Sequence, residues 1–136
     1  MDDERPTRVG IGIIGRCGRY LIRLRPEGGP MPGVWEFPGG KSEPGESPEE
    51  ATGRECREEI GVDVVVGRLL RRVVHRYPHG LVELFYHEAT LEPADAEPAP
   101  DSGFVWVDGP DLSDHRFPEA NEAMIAELAR PRPTSQ

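Results

Sequence analysis

Cysteine, lysine and aromatic residues are all scarce in this chain of 136 residues, and each scarcity excludes something. Two cysteines, Cys17 and Cys56, are too few for a disulfide framework and lack the paired spacing of a zinc site, so both are expected reduced and buried rather than bridged. Basic residues number 16 against 25 acidic ones, a formal charge of −9, which argues against sequence-blind binding to duplex nucleic acid. A small anionic substrate stays possible if a cation other than protein bridges the two. Lys41 is the only lysine. No apolar run approaches the roughly 20 residues that cross a bilayer, so no membrane partner is expected. The acidic opening Met1-Asp-Asp-Glu-Arg-Pro-Thr7 is unlike a secretory leader, and a cytoplasmic location follows as an expectation. His75, His79, His87 and His115 share no metal-ligand spacing.

Proline and glycine, by contrast, are abundant (15 and 16) and punctuate the periodic segments. Arg8 to Ile14 and Arg19 to Arg25 read as β-rich runs joined by Gly15-Arg-Cys-Gly18, a hairpin spacing. Pro26 to Pro32 reads as a loop, and Val34 to Phe37 as a short extended piece before Pro38-Gly39-Gly40. Val62 to His75 and Leu81 to Leu91 flank the turn Tyr77-Pro-His-Gly80. Glu92 to Asp101, with three prolines and four acids, reads as an irregular loop, and Phe104 to Val107 as a last strand. Pro118 to Leu128 is expected to be a helix, with Met124, Ile125 and Leu128 at core spacing. Residues 1–7 are expected flexible, 8–129 one domain, and 130–136 a disordered tail.

A second helix carries the chemistry. Ser47-Pro-Glu-Glu50 combines a capping serine, a proline at the first helical position and a glutamate three residues after the cap; Gly61 stops the helix. Thr52, Cys56 and Ile60 are four apart and predict a core face, while Glu55, Glu58 and Glu59 fall on a neighbouring stripe. Strands with two such helices imply an α/β sandwich, one helix on each face of the sheet. Three carboxylates on one stripe repel one another. Either they form a solvated acidic face, partly neutralised by Arg54 and Arg57, or a hard divalent cation with a taste for oxygen ligands relieves them.

The wider spacing resolves that choice. Gly40, Glu46, Arg54-Glu55, Cys56, Glu58-Glu59, Gly61 and Val62 stand at the intervals of the Nudix hydrolase signature, and the chain resembles that family. The resemblance implies an α/β/α sandwich with a mixed, curved sheet between helices. It also implies metal held at Glu55, Glu58, Glu59 and the Gly39 carbonyl, with Mg²⁺ as cofactor and Mn²⁺ as substitute. Arg54 is read as orienting a carboxylate, with Glu46 as its partner; Glu55 and Glu58 join it as catalytic residues, Glu55 being the first choice of general base. Cys56, in an apolar position of the signature, is read as core.

Two further segments, Trp35-Glu-Phe-Pro-Gly-Gly-Lys41 and Arg116-Phe-Pro-Glu-Ala-Asn121-Glu, resemble the MutT type within the family, so that the likeness spans residues 8 to 129. It implies hydrolysis of a nucleoside triphosphate to monophosphate and pyrophosphate, with 8-oxo-dGTP or its ribo form as substrate, in nucleotide-pool sanitation. Substrate would be bound by Arg25, Phe37, Gly40, Lys41 and Asn121. Asn121 carries over as reader of the oxidised purine edge, where an amide can offer donor and acceptor together; an asparagine opening a helix can equally satisfy a local backbone group. Arg25 can likewise be a plain exposed strand-end arginine. The chain departs from the pattern in two places. No carboxylate falls cleanly in the loop before the last strand, leaving Glu97 or Asp101 as candidates, and Gly80 replaces a larger polar residue near the base. Another Nudix substrate, such as a pyrimidine triphosphate or a nucleoside diphosphate derivative, and a non-catalytic nucleotide-sensing module stand as alternatives. A monomer is expected, a dimer allowed.

Overall fold

Strand β1 (Thr7–Arg16) carries two alternating faces that decide the architecture. Ile11 and Ile13 point to one side of the sheet and Gly10, Gly12 and Ile14 to the other, as the two-residue period of a strand requires. The computed structural model describes residues 5–29 and 31–130. In it β1 pairs in parallel with β6 (Gly80–Glu92), Thr7 opposite Val82 through Ile14 opposite Ala89. Its far end forms a hairpin with β2 (Arg19–Leu24), Arg16 opposite Arg19, through the two-residue turn Cys17-Gly18 with φ of 54° and 78°. The strand order is β3-β2-β1-β6-β5, with β3 (Trp35–Glu36) and β5 (Asp63–Tyr77) at the ends. β4 (Gly39–Lys41) pairs β1, and β7 (Val105–Asp108) pairs β2.

The expected α/β/α sandwich with a mixed sheet is present. Helix α1 (Pro48–Ile60) closes one face over Ile14, Leu21, Val64, Ala89 and Phe104, contributing Cys56 and Ile60 to that core. Helix α2 (Glu122–Ala129) closes the other over Ile13, Ile22, Tyr86 and Leu112, contributing Met124 and Ile125. The α1 start signals act as read. Ser47 Oγ accepts from the Glu50 N–H (3.1 Å), Glu50 Oε1 accepts from the Ser47 N–H (2.9 Å), and Gly61 closes the helix in the left-handed region at φ 85°. Thr52, Cys56 and Ile60 are fully buried, as their spacing predicts.

Several boundaries differ from those expected, for physical reasons. β1 starts at Thr7, drawn into the ladder by Val82, so the expected flexible segment 1–7 loses its last residue; residues 1–4 lie outside those described. The helix expected over Pro118 to Leu128 divides into a 3-10 turn, Glu119–Asn121, and α2, because Pro118 brings no side-chain cap to its start. Gly39-Gly40 forms a strand rather than only a turn, since β1 supplies a partner that a local pattern cannot show. The tail beyond Arg130 lies outside the described residues. Among the described residues no helix is long and apolar enough to cross a membrane.

Cys56 is buried as expected, whereas Cys17 is exposed, because the turn that holds it projects from the sheet. Burial also pushes the Cys56 thiol up to about 12. A thiol reagent such as 5,5′-dithiobis(2-nitrobenzoate) is therefore expected to titrate one thiol per native chain and two after denaturation; two fast thiols in the native chain would contradict the packing of α1.

Candidate functional site

The stripe of α1 beside its core face meets β4, and glycine is what permits the meeting. A Cβ at Gly40 would run into the Glu55 carboxyl group, with Oε2 at 2.6 Å. One at Gly39, whose φ is 154°, would lie 2.8 Å from the Ile11 Cα. Backbone and carboxylates thus share a space that side chains would fill. The Gly39 N–H donates to Glu59 Oε1 at 3.0 Å, tying the last acid of the stripe to the strand.

Arg54 organises the other end. Its Nε and NH2 form a two-pronged pair with Glu46 (2.8 and 2.9 Å), its NH2 also donates to the Lys41 carbonyl (3.1 Å), and its NH1 donates to Glu55 Oε2 (3.1 Å) and stands 3.6 Å from Glu58 Oε1. The Arg54 guanidinium holds the Glu46 carboxyl down at about 2, and the Glu46 carboxylate in turn raises Arg54 further above its already high value. Glu58 is 61 % exposed, against 22 % for Glu55 and 24 % for Glu59.

The three acids share one stripe, yet their tips part. Glu55 and Glu58 lean on Arg54, whereas Glu59 turns to Gly39 and to Arg23, whose NH2 is 3.4 Å from Glu59 Oε2. Among the described residues no three His, Cys, Asp or Glu side chains stand as a ready cation cage. The residues nevertheless fit a hard dication. The donors are all oxygen, Gly40 leaves the Glu55 carboxylate its room, and burial pushes Glu59 up to about 7 even though the Gly39 N–H and Arg23 pull it down. Glu36 and Glu55 add to the upward push.

A cleft of about 460 Å³ opens from this cluster, lined by Arg25, Phe37, Gly39, Gly40, Lys41, Glu59 and Asn121 among others. The sequence-predicted substrate residues therefore come together. Phe37 is buried against Phe117 (ring centroids 5.1 Å), and Arg25 NH1 stands 3.3 Å from Glu36 Oε1. Glu97 is drawn elsewhere: it accepts from Arg16 NH1 (2.8 Å) and from the Trp106 indole N–H (3.0 Å) at the rim of a separate pocket that does not include the cleft residues. Asp101 is exposed and does not line the cleft.

Sequence reasoning passed over Arg23, Glu36 and Tyr77, which line the cleft, and Tyr86, which is packed in the core beneath it. Arg23 Nε donates to Glu36 Oε2 (2.9 Å), its NH1 donates to the Ser102 carbonyl (3.3 Å), and its guanidinium lies over the Phe104 ring at 4.6 Å. Arg23 thus ties Glu59 to the loop before β7, the very loop in which a carboxylate was sought. Its signal was the two-residue period of β2, which puts Arg23 on the same face as Leu21, the face that α1 covers.

Comparison with known proteins bears on this site. A family profile described as the NUDIX domain matches residues 10–127. The chain is 35 % identical over 130 residues, 93 % of each chain, to an 8-oxo-dGTP diphosphatase of Haemophilus influenzae. It is 36 % identical over 97 residues, 61 % of this chain and 72 % of the other, to a CTP pyrophosphohydrolase of Escherichia coli. A solved structure from work on MutT of Aliivibrio salmonicida and Vibrio cholerae superposes with a TM-score of 0.72 at 28 % identity, covering 93 % of this chain and 98 % of that one.

Proposed function

The chain belongs to the Nudix hydrolase family, and from that membership we propose that it is a divalent-cation-dependent nucleotide pyrophosphohydrolase whose substrate is 8-oxo-dGTP or 8-oxo-GTP. The observation that carries this reading is the continuity of the cleft: one cavity runs from Gly39 and Glu59, the last acid of the α1 stripe, past Lys41 to Phe37 and Asn121. Glu55, Glu58, Glu59 and the Gly39 carbonyl would hold Mg²⁺ or Mn²⁺, and such an ion supplies charge neutralisation, substrate orientation and a lowered water pKa. The protein's own residues do the rest. Arg54 fixes the Glu55 carboxylate, the Gly39 N–H fixes Glu59, Lys41 and Arg25 offer cationic charge to phosphate along the cleft wall, and Phe37 gives the base an apolar floor. The products are the nucleoside monophosphate and pyrophosphate.

A pyrophosphate-release panel over canonical and oxidised nucleotides with Mg²⁺ tests the reading. Turnover is expected to be highest with the 8-oxoguanine nucleotides and to vanish with a chelator; preference for a pyrimidine triphosphate, or a panel without turnover, overturns it. Asn121→Ala is expected to lower the ratio of kcat/KM for 8-oxo-dGTP over dGTP by at least about tenfold, the worth of one buried hydrogen bond left unmade, with Mn²⁺ affinity unchanged. An unchanged ratio removes base reading from Asn121.

A further inference from the structure

Asn121 stands at the N-cap of α2 but makes no side-chain capping bond there. Its side chain turns inward instead. The hydroxyl of Tyr86, a residue of β6 that is 0 % exposed, donates to Asn121 Oδ1 at 2.7 Å, while Asn121 Nδ2 reaches the Pro118 carbonyl only at 3.4 Å. Tyr86 itself is packed among apolar residues beneath the cleft and does not line it.

We propose that Tyr86 is a specificity-determining positioning residue: its buried hydroxyl locks the order of donor and acceptor that the Asn121 amide presents to the base. This rests on the reading of Asn121 as the base contact. Turning the amide over would set Nδ2 against the hydroxyl, whose proton would then have only the Ala120 carbonyl, at 3.4 Å, to receive it. In the locked orientation one lone pair of Oδ1 and one N–H of Nδ2 keep no protein partner among the described residues. That fixed pair complements the N7–H donor and O6 acceptor of an 8-oxidised guanine. Unoxidised guanine has acceptors at both places, so either orientation of the amide sets Oδ1 against one of them, and only the oxidised base gains from the orientation that is held. Removing the hydroxyl frees the amide and erodes the distinction. A fully buried tyrosine in a strand needs a partner for its hydroxyl, and the single short bond it makes goes to the residue assigned to the base.

The test compares Tyr86→Phe, Asn121→Ala and the double variant with the unmodified enzyme, measuring kcat and KM for 8-oxo-dGTP and dGTP in Mg²⁺ together with thermal midpoints. Tyr86→Phe is expected to lower the selectivity ratio about tenfold through KM, with kcat for 8-oxo-dGTP held within about twofold and no further loss of selectivity when added to Asn121→Ala. Selectivity kept in Tyr86→Phe but lost in Asn121→Ala overturns the role of Tyr86 and leaves the base reading standing. Selectivity kept in both, or no turnover of either nucleotide by the unmodified enzyme, overturns the base reading and the role of Tyr86 with it. Effects that add in the double variant, a drop confined to kcat, or a Tyr86→Phe chain that fails to fold also overturn the proposal, since each makes the hydroxyl structural.

Discussion

Glu58→Gln is expected to lower kcat/KM for nucleotide hydrolysis in Mg²⁺ by at least about a thousandfold while moving the thermal midpoint by no more than about 3 °C. The two halves of this expectation come from different facts. Glu58 is the most exposed acid of the α1 stripe, and among the described residues its one ion pair, to Arg54 NH1, is 3.6 Å long and near water. Such a pair contributes roughly 0–1 kcal/mol, so the fold should not register its loss. A ligand to a dication works on another scale: a thousandfold corresponds to about 4 kcal/mol of transition-state stabilisation, within what a metal contributes. A solvated acidic face, the alternative reading of the same glutamates, calls for no change in either quantity. Steady-state kinetics and a thermal melt on one preparation separate the two, and a Glu58→Gln enzyme with near-normal turnover would sink the metal reading at that position.

How much of this was legible in the sequence depends on whether the determinant was local. The capping box at Ser47, the stop at Gly61 and the buried Thr52, Cys56 and Ile60 all depend on residues within a turn or two, and all were readable. The pairing of Arg54 with Glu46 came from the spacing of a motif whose parts lie eight residues apart. What was hidden is long-range. β4 exists because β1 offers Val9, Gly10 and Ile11 as partners, Arg23 matters because the loop before β7 folds back to it, and Glu97 is lost to Arg16, 81 residues away. Tyr86 reads as one more strand aromatic until α2 brings Asn121 against it, 35 residues on. The tips of Glu55, Glu58 and Glu59 were also out of reach, since a helical wheel places side chains on a stripe but not the cations that pull them apart along it.

The glycines of β1 set how closely α1 can approach the sheet, and Gly10→Ala is expected to destabilise the protein by about 3 kcal/mol, a fall of about 10 °C in thermal midpoint. Added to a strand, an alanine ordinarily gains about 0.5–1 kcal/mol over glycine through the unfolded chain. Here the clash decides the sign. A Cβ at Gly10 would run into the Pro48 carbonyl and Thr52 Oγ1 and lie 2.8 Å from the Thr52 amide nitrogen, so the whole first turn of α1 would have to lift. Because Gly10 is also opposite Gly40, that lift would separate the acidic stripe from β4, and activity should fall with stability. Gly12 makes an informative contrast. Its added Cβ would meet a side-chain atom, Cys56 Sγ at 2.6 Å, rather than backbone. Cys56→Ala removes that sulfur, so it is expected to recover at least about 1 kcal/mol of the loss in Gly12→Ala, a coupling that urea titration of the four chains in the cycle would measure. Thr52→Ala should not rescue Gly10→Ala in the same way, because the Pro48 carbonyl and the Thr52 amide stay in place. Equal rescue at both positions, or a Gly10→Ala chain as stable as its parent, would mean that α1 stands off the sheet and that the acids it carries are placed by something other than this contact.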